Sequence, residues 1–228
     1  MDPDKKTARI AGLVYLLIAI TGFFGIMYVP SKVIVAADAA ATLSNVRSHE
    51  FLFRWGILSQ LICQVLFVFL VLTLKKLLEK VNPQHSSQMV MLVIVSVPIA
   101  FLSVLNLFAL VILSDSGVAM PDQVNTLATI FVRLYKYGVT IAQIFWGLWL
   151  IPFGLLVYRS SFIPQIFGIL LVLGGLGYVI ISLTDIVFPA YTSVIAPIAS
   201  VPAGLGEFAI ILWFLIKGVR DQKNSNMI

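Results

Sequence analysis

Charge is what this sequence has least of. Charged residues make up 11% of its 228 positions, where a soluble domain carries roughly 25%. That shortage excludes an ordinary water-soluble domain and points to an integral membrane protein. Cysteine is nearly absent as well: Cys63 stands alone, so there is no intrachain disulfide and no thiolate metal cluster. The two histidines, His49 and His85, lie far apart near the ends of apolar runs, which gives no support to bis-histidine haem ligation within a membrane. There is no phosphate-binding glycine loop, no HExxH and no GxSxG. No metal or cofactor is expected. The net charge of +5 is no sign of nucleic acid either, because the bases gather at the ends of apolar runs rather than along one helix with stacking aromatics.

What the sequence does have is long apolar runs, with 60% hydrophobic residues. About 20 such residues in helix cross a ~30 Å hydrocarbon core. The expected fold is all-α, a polytopic integral membrane protein with six transmembrane helices in one bundle and one domain. The spans are expected near residues 10–29, 53–76, 87–113, 125–158, 163–187 and 197–218. The first follows a basic tail with Lys5, Lys6 and Arg9, as in a signal peptide, but is too long for one, so it reads as an uncleaved anchor helix. Ala8, Gly12, Tyr15, Ala19 and Gly22 fall on one face of it and predict close packing.

Pro30 is expected to end that helix. Asp38 should cap a short surface helix in the loop that follows, and Ser48 the second span. Pro98 should kink the third span. The loop over 115–122 has two acids and no base. The fourth element is too long for the core alone, so a break at Gly138 is expected. Pro189, Pro197 and Pro202 make the approach to the sixth span irregular.

Basic residues set the orientation. With both termini in the cytoplasm, ten bases lie inside, against Lys32, Arg47 and Arg54 outside and two near the outer boundary, as the positive-inside rule requires. This places the chain as a multi-pass protein of a bacterial cytoplasmic membrane.

The polar residues inside the spans mark the candidate site. Glu207 sits ten residues before Lys217, about 15 Å into the membrane. An ionised carboxylate at that depth costs about 2.5–3.5 kcal/mol, so it needs a partner, a proton or water. It shares a face with Ala196, Ser200 and Ala203 and so should look into the protein, with Gln64 as its expected partner and Gln60 or Gln143 further out. Gln60 and Gln64 lie one turn apart, suited to bonding between helices. Ser96, Ser103 and Asn106 share a face of the third span. Arg133, Lys136, Thr140 and Gln143 form a stripe continued by Gly147 and Gly154, and Gly175, Tyr178, Ser182 and Asp185 form another. Arg54, Arg133 and Lys136 are expected to converge near Asp185 as a site for a phosphate or carboxylate headgroup. The bland alternative is that these cations snorkel to the membrane surface.

Several short runs are shared with one family: Ala8-Arg9-Ile10-Ala11-Gly12, Asp38-Ala39-Ala40-Ala41, Phe53-Arg54-Trp55-Gly56, Tyr137-Gly138, Tyr158-Arg159-Ser160 with Pro164, Gly175-Leu176-Gly177-Tyr178, and Gly206-Glu207 with Trp213 and Lys217-Gly218-Val219. Over nearly its whole length the chain resembles the bacterial membrane family catalogued as domain of unknown function 4386. Similar sequences carry histidine where this chain has Tyr135 or Trp149, so no histidine chemistry carries across. The resemblance implies six membrane helices and supplies no activity. Three function classes follow from the residues. The first is binding of membrane lipid or another small anionic or amphiphilic ligand in an outer polar pocket. The second is a small proton-coupled transporter using Glu207. An intramembrane enzyme has the least support, because no nucleophile or metal set accompanies the acids.

Overall fold

The computed structural model describes residues 3–115 and 121–219. The expected loop over 115–122 therefore falls largely outside the described residues, as do Arg220 and Lys223 among the inner bases. Every regular element among the described residues is helical. Six helical stretches are long and apolar enough to cross a membrane: Pro3–Val33, Glu50–Leu78, Pro83–Asp115, Pro121–Arg159, Gln165–Val187 and Pro189–Ile216. Their outward faces carry large apolar side chains such as Leu13, Phe69, Leu105, Ile112 and Phe208. In water such surface would drive aggregation, and against lipid it costs nothing. The chain is a multi-pass membrane protein. Its helices fall into two compact units, one of Leu17–Val65 with Val97–Val139 and one of Met1–Leu16, Leu66–Ser96 and Thr140–Ile228.

The helical run that begins with α1 (Pro3–Gly22) does not end at Pro30. It passes through a π-helical turn, Phe23–Tyr28, into α2 (Val29–Val33). Proline lacks an N–H and its ring crowds the carbonyl four residues earlier. The wider π turn just before it relieves that crowding, and the chain leaves helix only at Ile34. Helix α3 (Ala39–Ser48) is the short helix expected from its cap: the Asp38 carboxylate accepts the Ala41 N–H at 2.8 Å. Ser48 lies inside α3 and caps nothing, because His49 alone joins it to α4 (Glu50–Leu78). A core of Val29, Val33, Val46, Phe53, Leu107 and Leu110 binds these elements to α5 (Pro83–Asp115) and to the early turns of α6 (Pro121–Leu148). Gly138 does not break α6; it packs directly against Ser103 of α5.

The break expected at Gly138 appears at Trp149, between α6 and α7 (Leu150–Arg159). Pro152 explains the position. It cannot donate to Leu148 four residues back, so the ladder opens one turn before the proline. Helix α8 (Gln165–Val187) then packs on α6 and α7 through glycines. A Cβ on Gly147 would lie 2.6 Å from the Gly175 carbonyl oxygen, and one on Gly154 2.6 Å from that of Gly168. After a short 3₁₀ turn, α9 (Thr192–Ala199) and α10 (Val201–Ile216) are separated at Ser200, where Pro202 falls in the first turn of α10. A Cβ on Gly174 would meet Ala203 Cα at 2.5 Å, and one on Gly12 of α1 would meet Phe214 Cβ at 2.8 Å. Gly218, at φ 70°, closes α10 by donating to Trp213 O. Of the expected small face on α1, Ala8, Gly12 and Tyr15 are buried and Ala19 is exposed.

Candidate functional site

Glu207 lies on α10, which packs closely against α1 and α8. Small residues make that approach possible: Gly12 against Phe214, Gly174 against Ala203, and Gly206 against Leu170. Two phenols reach the carboxyl as a result. Tyr15 OH donates to Glu207 Oε2 at 2.5 Å and Tyr178 OH to Oε1 at 3.0 Å. Each oxygen of the acid is thereby engaged from a different helix. Trp149 backs the cluster, tilted against Tyr15 at 6.0 Å, stacked on Phe153 at 5.2 Å and edge-on to Phe67 at 5.0 Å. Its exposure is 2%. The tryptophan and the two phenylalanines pack against one another.

Glu207 thus faces inward, with Phe208 and Leu212 turned outward, but its partners are not glutamines. Gln60 is fully used elsewhere: Nε2 donates to Gly25 O at 2.8 Å and Oε1 accepts from Tyr135 OH at 3.1 Å. Such bonds between membrane helices contribute about 0.6 kcal/mol each, so Gln60 is helix glue. Gln64 is buried, and its Oε1 accepts no hydrogen bond among the described residues. Gln143 is half-buried. Asn106 donates to Leu102 O and Ser103 O of its own helix.

The α8 stripe carries a second acid. Asp185 is 8% exposed and accepts from Thr140 at 2.9 Å and Thr192 at 3.4 Å. Between it and Tyr178 lies Ser182, fully buried, whose hydroxyl has no hydrogen-bond partner among the described residues.

Arg54, Arg133 and Lys136 are all exposed residues. Arg54 engages Glu50 one turn earlier at 2.5 Å, and Arg133 and Lys136 lie on the exposed face of α6. A different arginine lines a cavity. An open groove of about 320 Å³ runs between α3, the end of α5 and the start of α6, bordered by Leu43, Ser44, Arg47, Ser114, Val124 and Asn125. Arg47 is exposed and has no ion pair or hydrogen bond among the described residues. The sequence signal for it was the Asp38 cap: α3 begins there, and Leu43, Ser44 and Arg47 then fall three and four residues apart on one face. A second groove of about 300 Å³ lies over the Pro152 break, with Gln88 as its one polar side chain, so nothing charged there selects a headgroup.

The family model described as a domain of unknown function, DUF4386, matches residues 10–218. No curated protein and no solved structure matches the chain.

Proposed function

The chain belongs to the DUF4386 family, which supplies no activity, and from the groove beside α3 we propose that it binds an anionic amphiphile, through a phosphate or carboxylate headgroup. The observation that carries this reading is Arg47, a guanidinium with no ion pair or hydrogen bond among the described residues, lining a cavity that also presents Ser44, Ser114 and Asn125. A guanidinium offers two parallel N–H donors to a phosphate or carboxylate. The hydroxyls and the amide supply further hydrogen bonds, and Leu43, Leu113 and Val124 supply apolar contact for the first carbons of a tail. Arg54, Arg133 and Lys136 would add positive potential that draws anions towards the same unit. The charge bias along the sequence supports a bacterial cytoplasmic membrane with both termini inside, and the groove would then open to the outer leaflet. In this reading the protein is a binding component and not an enzyme.

The test is mass spectrometry of lipids and small molecules that copurify with the protein in mild detergent. An anionic amphiphile enriched over the bulk membrane lipids is expected, and Arg47→Gln should lose that enrichment while neutral lipids stay unchanged. An unchanged complement in Arg47→Gln would rule out the headgroup site.

A further inference from the structure

Ser182, like Ser86, lacks the hydroxyl bond that several other serines of this chain make. Ser96, Ser103, Ser114 and Ser160 each donate to a carbonyl three or four residues back, the usual way a helix satisfies a buried hydroxyl. Ser182 is fully buried and its oxygen bonds to nothing among the described residues. Leaving such a group unpaired costs about 1–3 kcal/mol, and on the same stripe of α8 it lies between Tyr178, which bonds one carboxyl, and a second carboxyl, Asp185. Tyr178, one turn before it, holds Glu207; Asp185, three residues after it, holds Thr140 and Thr192.

We propose that Glu207 exchanges its proton with the solvent at the Asp185 end of α8, by a relay through Tyr178 and Ser182. The steps along the helix are about 6 Å and 4.5 Å of rise, longer than one hydrogen bond, so a water bridges each of them. Such a water has the polar partners it needs, the Ser182 hydroxyl on one side and Tyr178 or Asp185 on the other. A proton taken up by Asp185 passes to the first water, which gives its own proton to Ser182. Ser182 gives its proton to the second water, and that water protonates Tyr178 as the phenol yields its proton to Glu207. Every carrier ends with the number of protons it began with, except that Asp185 has lost the one it took up and Glu207 holds one more. Release runs in reverse. The titratable groups bonded to the Glu207 carboxyl from the helices packed on it are Tyr15 and Tyr178, and it has no ion pair among the described residues. Asp185 accepts hydrogen bonds from Thr140 and Thr192. The proposal is independent of the Arg47 groove.

The experiment is time-resolved infrared difference spectroscopy after a pH jump, on the full chain in lipid nanodiscs. A carboxyl band that disappears in Glu207→Gln identifies the group. In Ser182→Ala the same band should form roughly tenfold more slowly, equivalent to about 1.4 kcal/mol in barrier. Thermal unfolding should change little, because the lost hydroxyl bonds no protein group among the described residues. Asp185→Asn, which keeps the shape and loses the acid, should slow the band as well, and it serves as the deciding variant if Ser182→Ala does not fold. A wild-type protein without a Glu207 band, or equal rates in wild type and the folded variant, would overturn the relay.

Discussion

Replacing Gly147 by alanine tests whether glycine contacts build the site. At that position a Cβ would lie 2.6 Å from the Gly175 carbonyl oxygen and 2.9 Å from the Cβ of Tyr178. The oxygen belongs to a helix backbone and cannot swing aside, so α6 and α8 must separate. Overpacking of this kind costs about 1–3 kcal/mol. Working against it, alanine gains about 0.8–1.0 kcal/mol over glycine in a helix. Gly204 of α10 is the matched control, since a Cβ there meets nothing within 4 Å. Gly204→Ala should therefore gain the propensity term alone. In the difference between the two variants that term cancels, leaving about 1–3 kcal/mol of steric cost. Moving Tyr178 would also stretch its bond to Glu207, adding about 0.5–1.5 kcal/mol. We predict that Gly147→Ala unfolds at lower SDS mole fraction than Gly204→Ala, followed by circular dichroism. Equal midpoints would mean that the close approach is not formed, and the argument for how Tyr178 reaches Glu207 would fail with it.

Glu207→Gln and Glu207→Leu should separate in the same titration. Glutamine keeps a carbonyl acceptor for one phenol and an amide for the other, whereas leucine leaves Tyr15 and Tyr178 unpaired at roughly 1–3 kcal/mol each. Glutamine as costly as leucine would show that the phenol bonds are not what hold the group. For orientation, reporter fusions after Gln84 and Ile228 are expected to read cytoplasmic and one at Val118 periplasmic. A periplasmic signal at Gln84 or Ile228 would refute the assignment.

The sequence by itself determined what depends on short-range physics. Six apolar stretches follow from hydrophobic length and the bilayer's thickness, and α3 follows from the Asp38 cap, which is a local hydrogen bond. The inward face of Glu207 was legible because Ala203 and Glu207 lie on one side of a helix while Phe208 and Leu212 do not. The stripes along α8 and along the start of α1 were legible for the same reason. Even the break before α7 could have been read from Pro152, since its effect reaches only one turn back.

The tertiary structure alone decided which residues meet. Counting rise along each helix puts Gln64 about 16 Å from the basic end of its span and Glu207 about 15 Å from Lys217, while Tyr15 stands only about 9 Å from Arg9 and Tyr178 about 21 Å from Pro164. By depth alone Gln64 was the natural partner. Depth in that arithmetic assumes upright helices, and it says nothing of which helices are neighbours. The contacts Gly12–Phe214 and Gly174–Ala203 made α1 and α8 the neighbours of Glu207, and the two phenols came with them. Arg47 became a site residue in the same way. Its charge was plain in the sequence, but a groove exists only where α3 settles against the ends of two helices more than sixty residues further along the chain, and no local rule carries that far.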